Sequence, residues 1–165
     1  MSQGRLVIFC GIPGSGKTTI AKLVAITLWS SIHIQTDAVR AMLPHPVFGQ
    51  NESRFVYDAC YGIAKDALKA GYTVLLDATF MRDEYRSEAR RRLHRYCSRI
   101  DMVWVDCTLQ TALERNSRRD VPIPPETLEG IHGGFQPPRK ALRLDSSLLP
   151  PEVAATQVVS ALRLH

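Results

Sequence analysis

Long apolar runs are missing from this 165-residue sequence: none approaches the roughly 20 residues that a helical bilayer span needs. Near the start, Arg5 precedes an apolar run that already breaks at Gly11. That is too short for the apolar segment of a secretory signal, so a cytoplasmic location without membrane contact is expected. Cysteine is scarce and unpatterned. Cys10, Cys60, Cys97 and Cys107 show no C-x-x-C spacing, and no His/Cys cluster has the spacing of a zinc site. Cys10 and Cys107 close apolar runs, which marks them as small core residues in a reducing compartment. Internal repeats, low-complexity tracts and linker-like stretches are also absent. One domain over 1–165 is therefore expected, long enough to bury a proper core.

Acidic residues are in deficit, 16 against 21 Lys and Arg, for a formal net charge of +5. That balance suits a polyanionic or phosphorylated partner, and many small basic proteins show it with no such partner. The hydrophobic fraction of 45% and the charged fraction of 22% are those of an ordinary globular chain, which excludes disordered and fibrous classes.

Strand and helix patterns alternate. Residues 6–10 form a continuous apolar run, the pattern of a strand buried on both faces. A glycine-rich turn leads to helical periodicity over 18–29. A short strand follows at 32–35, with Thr36 or Asp37 able to cap the next turn. A Pro- and Gly-containing loop at 44–50 precedes a long helix over 52–70, stopped by Gly71. A buried strand at 73–76 ends at Asp77. A charged helix is expected at 83–97, a strand at 102–105 and a helix at 109–118. Then come a Pro-rich segment at 121–125, a weaker strand at 141–144 and a terminal helix at 151–164. Such alternation, with the segment Gly11-Ile12-Pro13-Gly14-Ser15-Gly16-Lys17-Thr18 after the first strand, predicts an α/β, three-layer P-loop fold. It has a parallel sheet of about five strands, helices on both faces, and a small arginine-bearing lid at about 115–138. Ligands in such sheets lie at the carboxyl ends of the strands, where the glycine turn, Asp37 and Asp77 all fall.

Gly11-Ile12-Pro13-Gly14-Ser15-Gly16-Lys17-Thr18 matches the phosphate-binding loop G-x-x-x-x-G-K-[ST] in full, between a buried strand and an amphipathic helix. Its glycines let backbone N–H groups converge on phosphate oxygens, and the helix adds its positive end. Lys17 is expected to reach the β- and γ-phosphates of ATP and Thr18 to face Mg²⁺, with Thr19 and Arg115 completing the nucleotide contacts. Asp37 ends a strand expected beside the loop strand. There it can take the proton of an incoming hydroxyl, with Arg40 one turn on to orient it or to hold an acceptor phosphate; a plain helix cap is the other reading. Asp77 has the place of an acid supporting Mg²⁺, with Thr79 close by, or is a solvated strand-end carboxylate. Arg115, Arg118 and Arg119 precede the Pro-rich segment, either as flap residues that neutralise a transferring phosphoryl group or as favourable charge at a helix end. Arg82, Arg86 and Arg90 share one helical face among further arginines at 91, 92, 95 and 99; this is a solvated face or a surface for nucleic-acid phosphates.

On these residues the chain resembles the kinase domain of bacteriophage-type 5′-hydroxyl polynucleotide kinases and the wider AAA-type and zeta-toxin-like group of small P-loop kinases. The shared features run from Gly11 to about Pro138. They are the phosphate loop, Asp37 with Arg40, Leu76-Asp77-Ala78-Thr79, and Arg115-Asn116-Ser117-Arg118-Arg119 ahead of Val121-Pro122. The resemblance implies a general base at Asp37, an acceptor-side arginine at Arg40 and transition-state stabilisation by Arg119. Two features depart from it. Phe80 stands where related kinases often carry Asn, and no D-x-D-x-T phosphatase motif is present. The expected activity is transfer of the γ-phosphoryl group of ATP to a hydroxyl, first of all a nucleic-acid 5′-hydroxyl, with single-stranded nucleic acid as partner. A small metabolite or an aminoacyl-tRNA is the alternative acceptor. A regulatory ATPase is the rival from another class, opposed by the absence of N-K-x-D and D-x-x-G segments.

Overall fold

The computed structural model describes residues 3–47 and 49–164. Met1, Ser2, His165, and Phe48 of the expected 44–50 loop, lie outside the described residues. The run from Gly4 to Cys10 is strand β1. Its alternation explains why every position from Leu6 to Cys10 is apolar. Leu6, Ile8 and Cys10 enter one core while Val7 and Phe9 enter another. Helices cover both faces, so neither set of side chains meets water.

The phosphate loop follows, then α1 (Lys17–Ile26), β2 (Ser31–Gln35), α2 (Thr36–Arg40), α3 (Gln50–Lys69) and β3 (Thr73–Asp77). The second half holds α4 (Asp83–Leu93), β4 (Cys97–Asp106), α5 (Leu109–Asn116), α6 (Pro125–Gly134), β5 (Leu142–Asp145) and α7 (Pro151–Leu162). The sheet is parallel throughout, in the order β2-β3-β1-β4-β5. Its two cores divide by face: α1 and α7 cover one side, α3 and α4 the other. A third, smaller cluster joins Ile12, Cys107, Ala112 and Leu128, with Ile123 and Ile131 packed against it, and so fixes α6 over the phosphate loop.

Two expectations need correction, and one element was not foreseen. The helix expected over 83–97 stops at Leu93, and a single turn of 3₁₀ helix leads directly into β4 at Cys97. Residues from Cys97 to Ile100 pair with Gly4, Arg5 and Leu6, so the edge of β1 recruits a segment whose arginines read as helical. The helix expected over 109–118 ends at Asn116. No element was expected between the Pro-rich segment and the strand at 141–144, yet Pro125 opens α6 there, at a position where a missing N–H costs nothing.

Candidate active site

The phosphate loop leaves the carboxyl end of β1 and wraps the start of α1. Gly14 has φ +82°, and a Cβ there would stand 2.7 Å from the Ala112 carbonyl oxygen, so the loop can lie against α5 only with glycine. Gly16 caps α1 in the left-handed region at φ +84°, with no side-chain cap. The first amides of α1 are thus left for an anion. Arg115 braces the loop from outside. It donates to the Gly14 carbonyl at 3.2 Å, to Ser146 Oγ at 2.9 Å and to the Ser146 carbonyl at 2.8 Å. Ser146 Oγ in turn donates to the Ser15 carbonyl at 2.6 Å. Ser146 had no signal in the sequence, because a serine pair after a short strand resembles any turn.

Lys17, Thr18, Asp37, Arg40, Thr79, Arg115 and Arg119 meet around one cleft of about 500 Å³, with Pro13, Gly14, Gly16 and Thr19 in the same wall. Lys17 is only 9% exposed. Asp77 lies under it. Its Oδ2 accepts from Thr18 Oγ1 at 2.7 Å and contacts His33 Nε2 at 3.2 Å. His33 Nδ1 faces Gln35 Nε2 at 3.3 Å, which suits Nε2 as the protonated nitrogen. Burial alone would raise the Asp77 pKa. The His33 hydrogen bond, the Lys17 ammonium and the Thr18 hydroxyl outweigh it and hold the carboxyl below the usual range. His33 was not singled out in the sequence, since a lone histidine in a strand is most often a core residue.

Asp77 Oδ1 is buried and has no hydrogen-bond partner. An orphaned carboxylate oxygen beside a threonine hydroxyl that spends its proton on the same carboxylate fits a divalent cation held through the Thr18 oxygen. Among the described residues, no group of three His, Cys, Asp or Glu side chains could hold a metal by itself. A cation here would therefore depend on the phosphates of its ligand.

Asp37 arrives by another route than expected. β3 lies between β2 and β1, so the strand before Asp37 is not the neighbour of the loop strand; Asp77 ends that neighbour. Nor does Asp37 or Thr36 cap α2. Gln35 holds the N-cap position without a side-chain bond, and Asp37 stands in the first turn with its side chain exposed. It still lines the cleft with Lys17, Thr18 and Arg119. Arg40 is braced from α3 by an ion pair with Glu52, whose other oxygen accepts from the Val47 amide at 2.6 Å. Arg119 stands in the exposed turn after α5. That turn is closed by Asn116, 3% exposed, which donates to the Ile123 carbonyl at 2.7 Å and accepts from its amide at 3.1 Å.

The arginine face of α4 does not exist as a stripe. Arg86 is 2% exposed and donates to the Phe80 carbonyl at 2.9 Å. Arg91 and Arg92 close on Glu88, and Arg92 also reaches Asp58 at 2.7 Å. Phe80 itself has φ +45°, a region where Asn is far more at home than Phe. That backbone costs about 1–3 kcal/mol. Removing a buried Phe side chain costs about 3–5 kcal/mol, so packing against Tyr57 at 5.5 Å decides in favour of Phe. The cysteines are all buried and unpaired, and burial pushes the Cys10 thiol up to about 12.

A five-stranded parallel sheet, helices on both faces and a complete phosphate loop define the α/β P-loop kinase fold. Within it, the chain belongs to the AAA domain family, whose model matches residues 6–138. It is similar to the L-seryl-tRNA(Sec) kinase of Methanococcus maripaludis, 26% identical over 141 residues, 81% of this chain and 53% of that protein. The chain thus spans about half the length of that relative. Among solved structures it is similar to the Mycobacterium tuberculosis APS kinase in complex with AMPPNP and APS. The TM-score there is 0.78, with 22% identity and 99% of each chain covered. It is also similar to a chain of the Pnkp1/Rnl/Hen1 RNA repair complex, with a TM-score of 0.72 and 19% identity over 81% of this chain and 44% of that one.

Proposed function

We propose that this protein is an ATP-dependent kinase that moves the γ-phosphoryl group to a hydroxyl at the end of a nucleic-acid chain, a 5′-hydroxyl first of all. The observation that carries the proposal is the single cleft that collects Lys17, Thr18, Asp37 and Arg119 at the phosphate loop. A carboxylate opposite a phosphate site suits a protonated nucleophile. Asp37 accepts the proton as the acceptor oxygen bonds to the γ-phosphorus and the bond to the β–γ bridging oxygen breaks, so that ADP leaves with the electron pair. Lys17 and the free amides at the start of α1 balance the charge on the β- and γ-phosphates, and Arg119 acts on the charge that develops during transfer. Thr18, backed by Asp77, would hold Mg²⁺, which when bound neutralises charge on the phosphate oxygens.

A second acceptor, the seryl hydroxyl of an aminoacylated tRNA, is favoured by the likeness to L-seryl-tRNA(Sec) kinase. The test is transfer of labelled γ-phosphate to a panel: 5′-hydroxyl DNA and RNA, seryl-tRNA, nucleosides and small polyols. Label on the 5′-hydroxyl strands supports the first reading, and label on seryl-tRNA alone selects the second. Steady ATP hydrolysis with no labelled acceptor would return the protein to the regulatory ATPases.

A further inference from the structure

A second, larger cavity of about 670 Å³ opens beside the phosphate cleft, and Arg40 and Thr79 line both. An acceptor whose hydroxyl points at Asp37 has the rest of its body here. The inference therefore rests on the kinase reading above and concerns what that body is.

The cavity lies between α3, the start of α4 and α6. Its floor is aromatic. Tyr57 lies beside Tyr85 with ring centroids 6.0 Å apart and planes 19° from parallel, and Tyr57 is wedged against Phe80 at 5.5 Å. Met81 and Ile131 continue the apolar wall. Tyr57 is fixed by this packing, whereas Tyr85 is 43% exposed and keeps ring surface open to a ligand. The rim is charged, but its acids are spoken for: Glu88 and Asp58 are engaged by Arg91 and Arg92. Arg54 is 81% exposed on the rim and lies a loose 3.9 Å from Asp58.

Gln50, Ser53 and Thr79 put polar groups on the same wall, where they can meet the hydroxyls of a ribose, while the tyrosine ring face offers a planar group a stacking surface. A planar heterocycle with a phosphate one residue further on meets both halves of this cavity, the tyrosine face and the arginine rim. We infer that the cavity is an acceptor site for the terminal nucleoside of a nucleic-acid chain, its base stacked on Tyr85 and the following phosphate drawn to Arg54. The size agrees, since the volume is within the range of pockets that enclose a nucleotide-sized ligand. Both acceptor sources considered above end in a nucleobase, so this chemistry is common to them.

The test is equilibrium binding of the full chain to labelled oligonucleotides without ATP. One pair has a 5′-hydroxyl terminal nucleotide with its base or abasic. A second pair is a minihelix whose 3′-terminal nucleotide is intact or abasic. Stacking of one base is worth about 5- to 150-fold in affinity. At one of the two ends, loss of the base should weaken wild-type binding by about 10-fold. Tyr85→Ala should erase that difference, Tyr85→Phe should keep it, and Tyr72→Ala, an exposed tyrosine elsewhere, should keep it too. The pair that responds identifies the end. Equal binding of intact and abasic forms at both ends, absence of binding to either, or a difference that survives Tyr85→Ala would overturn the inference. Its failure is separable from that of the kinase reading. Phosphate transfer to a 5′-hydroxyl strand with indifference to the base removes only this inference, and base-dependent binding with no transfer to any acceptor removes only the other.

Discussion

Asp37 and Asp77 are two carboxylates beside the phosphate loop with opposite environments, and that contrast separates their work. Asp77 is 3% exposed and anchored by Thr18 and His33, while Asp37 is exposed in the first turn of α2. A buried carboxylate with fixed partners is suited to holding position, and an open one to exchanging a proton with a ligand. Asp37→Asn keeps the shape and loses the basic charge, so phosphoryl transfer should fall about 10²- to 10⁴-fold while ATP affinity stays within a few fold. Because Asp37 does not cap α2, the thermal midpoint should hardly move, and a wild-type transfer rate in this variant would place the base elsewhere. For Asp77 the sign of the pH effect follows from its depressed pKa. The folded state holds the proton less tightly than the unfolded chain, whose ordinary value is about 3.9. The resulting stabilisation is complete above that value and is lost as pH falls through the lower folded value. Denaturant titrations of wild type and Asp77→Asn should therefore show a stability difference that shifts against the wild type below about pH 4. A difference that stays flat down to the point of acid unfolding would mean that His33, Lys17 and Thr18 do not hold the charge.

At the level of elements, the decisive piece is the turn between α5 and α6. Asn116 mimics a backbone strand toward Ile123, with both of its amide groups used. The turn it closes carries Arg119 into the cleft. Asn116→Ala should cost about 1–3 kcal/mol, since two hydrogen bonds of a nearly buried group are lost. It should also lower kcat in the same manner as Arg119→Ala, with a smaller effect on KM for ATP. If Asn116→Ala changed stability alone, with kcat intact, the turn would not be what positions Arg119. The same segment shows where sequence reading reaches and where it stops. β1 and the phosphate loop are local features: an apolar run, glycines at set spacing, then helical periodicity. They can be read without knowing what they touch. The partition of strands is not local. Nothing in residues 32–35 says that β3 will intervene before β1, so the place of Asp37 at the cleft was expected for the wrong reason. α6 begins at a proline and contains Gly130, Gly133 and Gly134, a composition that reads as loop; Leu128 and Ile131 hold it through packing against Ile12 and Ala112. His33 was not singled out, and Asn116 was named only within the shared motif, because the meaning of each lies in a partner close in space but removed in sequence, Asp77 for one and Ile123 for the other.

Across the whole molecule, charge is spent unevenly, and this bears on nucleic-acid binding. The excess of 21 basic over 16 acidic residues suggests a broad cationic surface. Much of it is internal or paired instead. Arg86 is buried, Arg5 and Arg99 share Asp101, Arg143 faces Asp106, and Arg115 is committed to Ser146. Exposure therefore does not measure what a cation can give to a ligand. Arg54 and Arg91 make the comparison directly. They are similarly open, at 81% and 70%, but Arg91 is closed on Glu88 at 2.7 Å while Arg54 lies 3.9 Å from an Asp58 already held by Arg92. A single-stranded phosphate displaces counterions with a log–log salt slope of about −0.7 per contact. Binding of a short 5′-hydroxyl strand across a salt series should thus lose about one such contact in Arg54→Gln and almost none in Arg91→Gln. Arg86→Gln should behave differently from both. It removes the donor to the Phe80 carbonyl from the interior, so its effect should appear as a lowered thermal midpoint before any change in slope. Equal slopes in the Arg54 and Arg91 variants, both flatter than wild type, would show that a ligand can pull Arg91 away from Glu88, and would restore α4 as a phosphate-contacting surface.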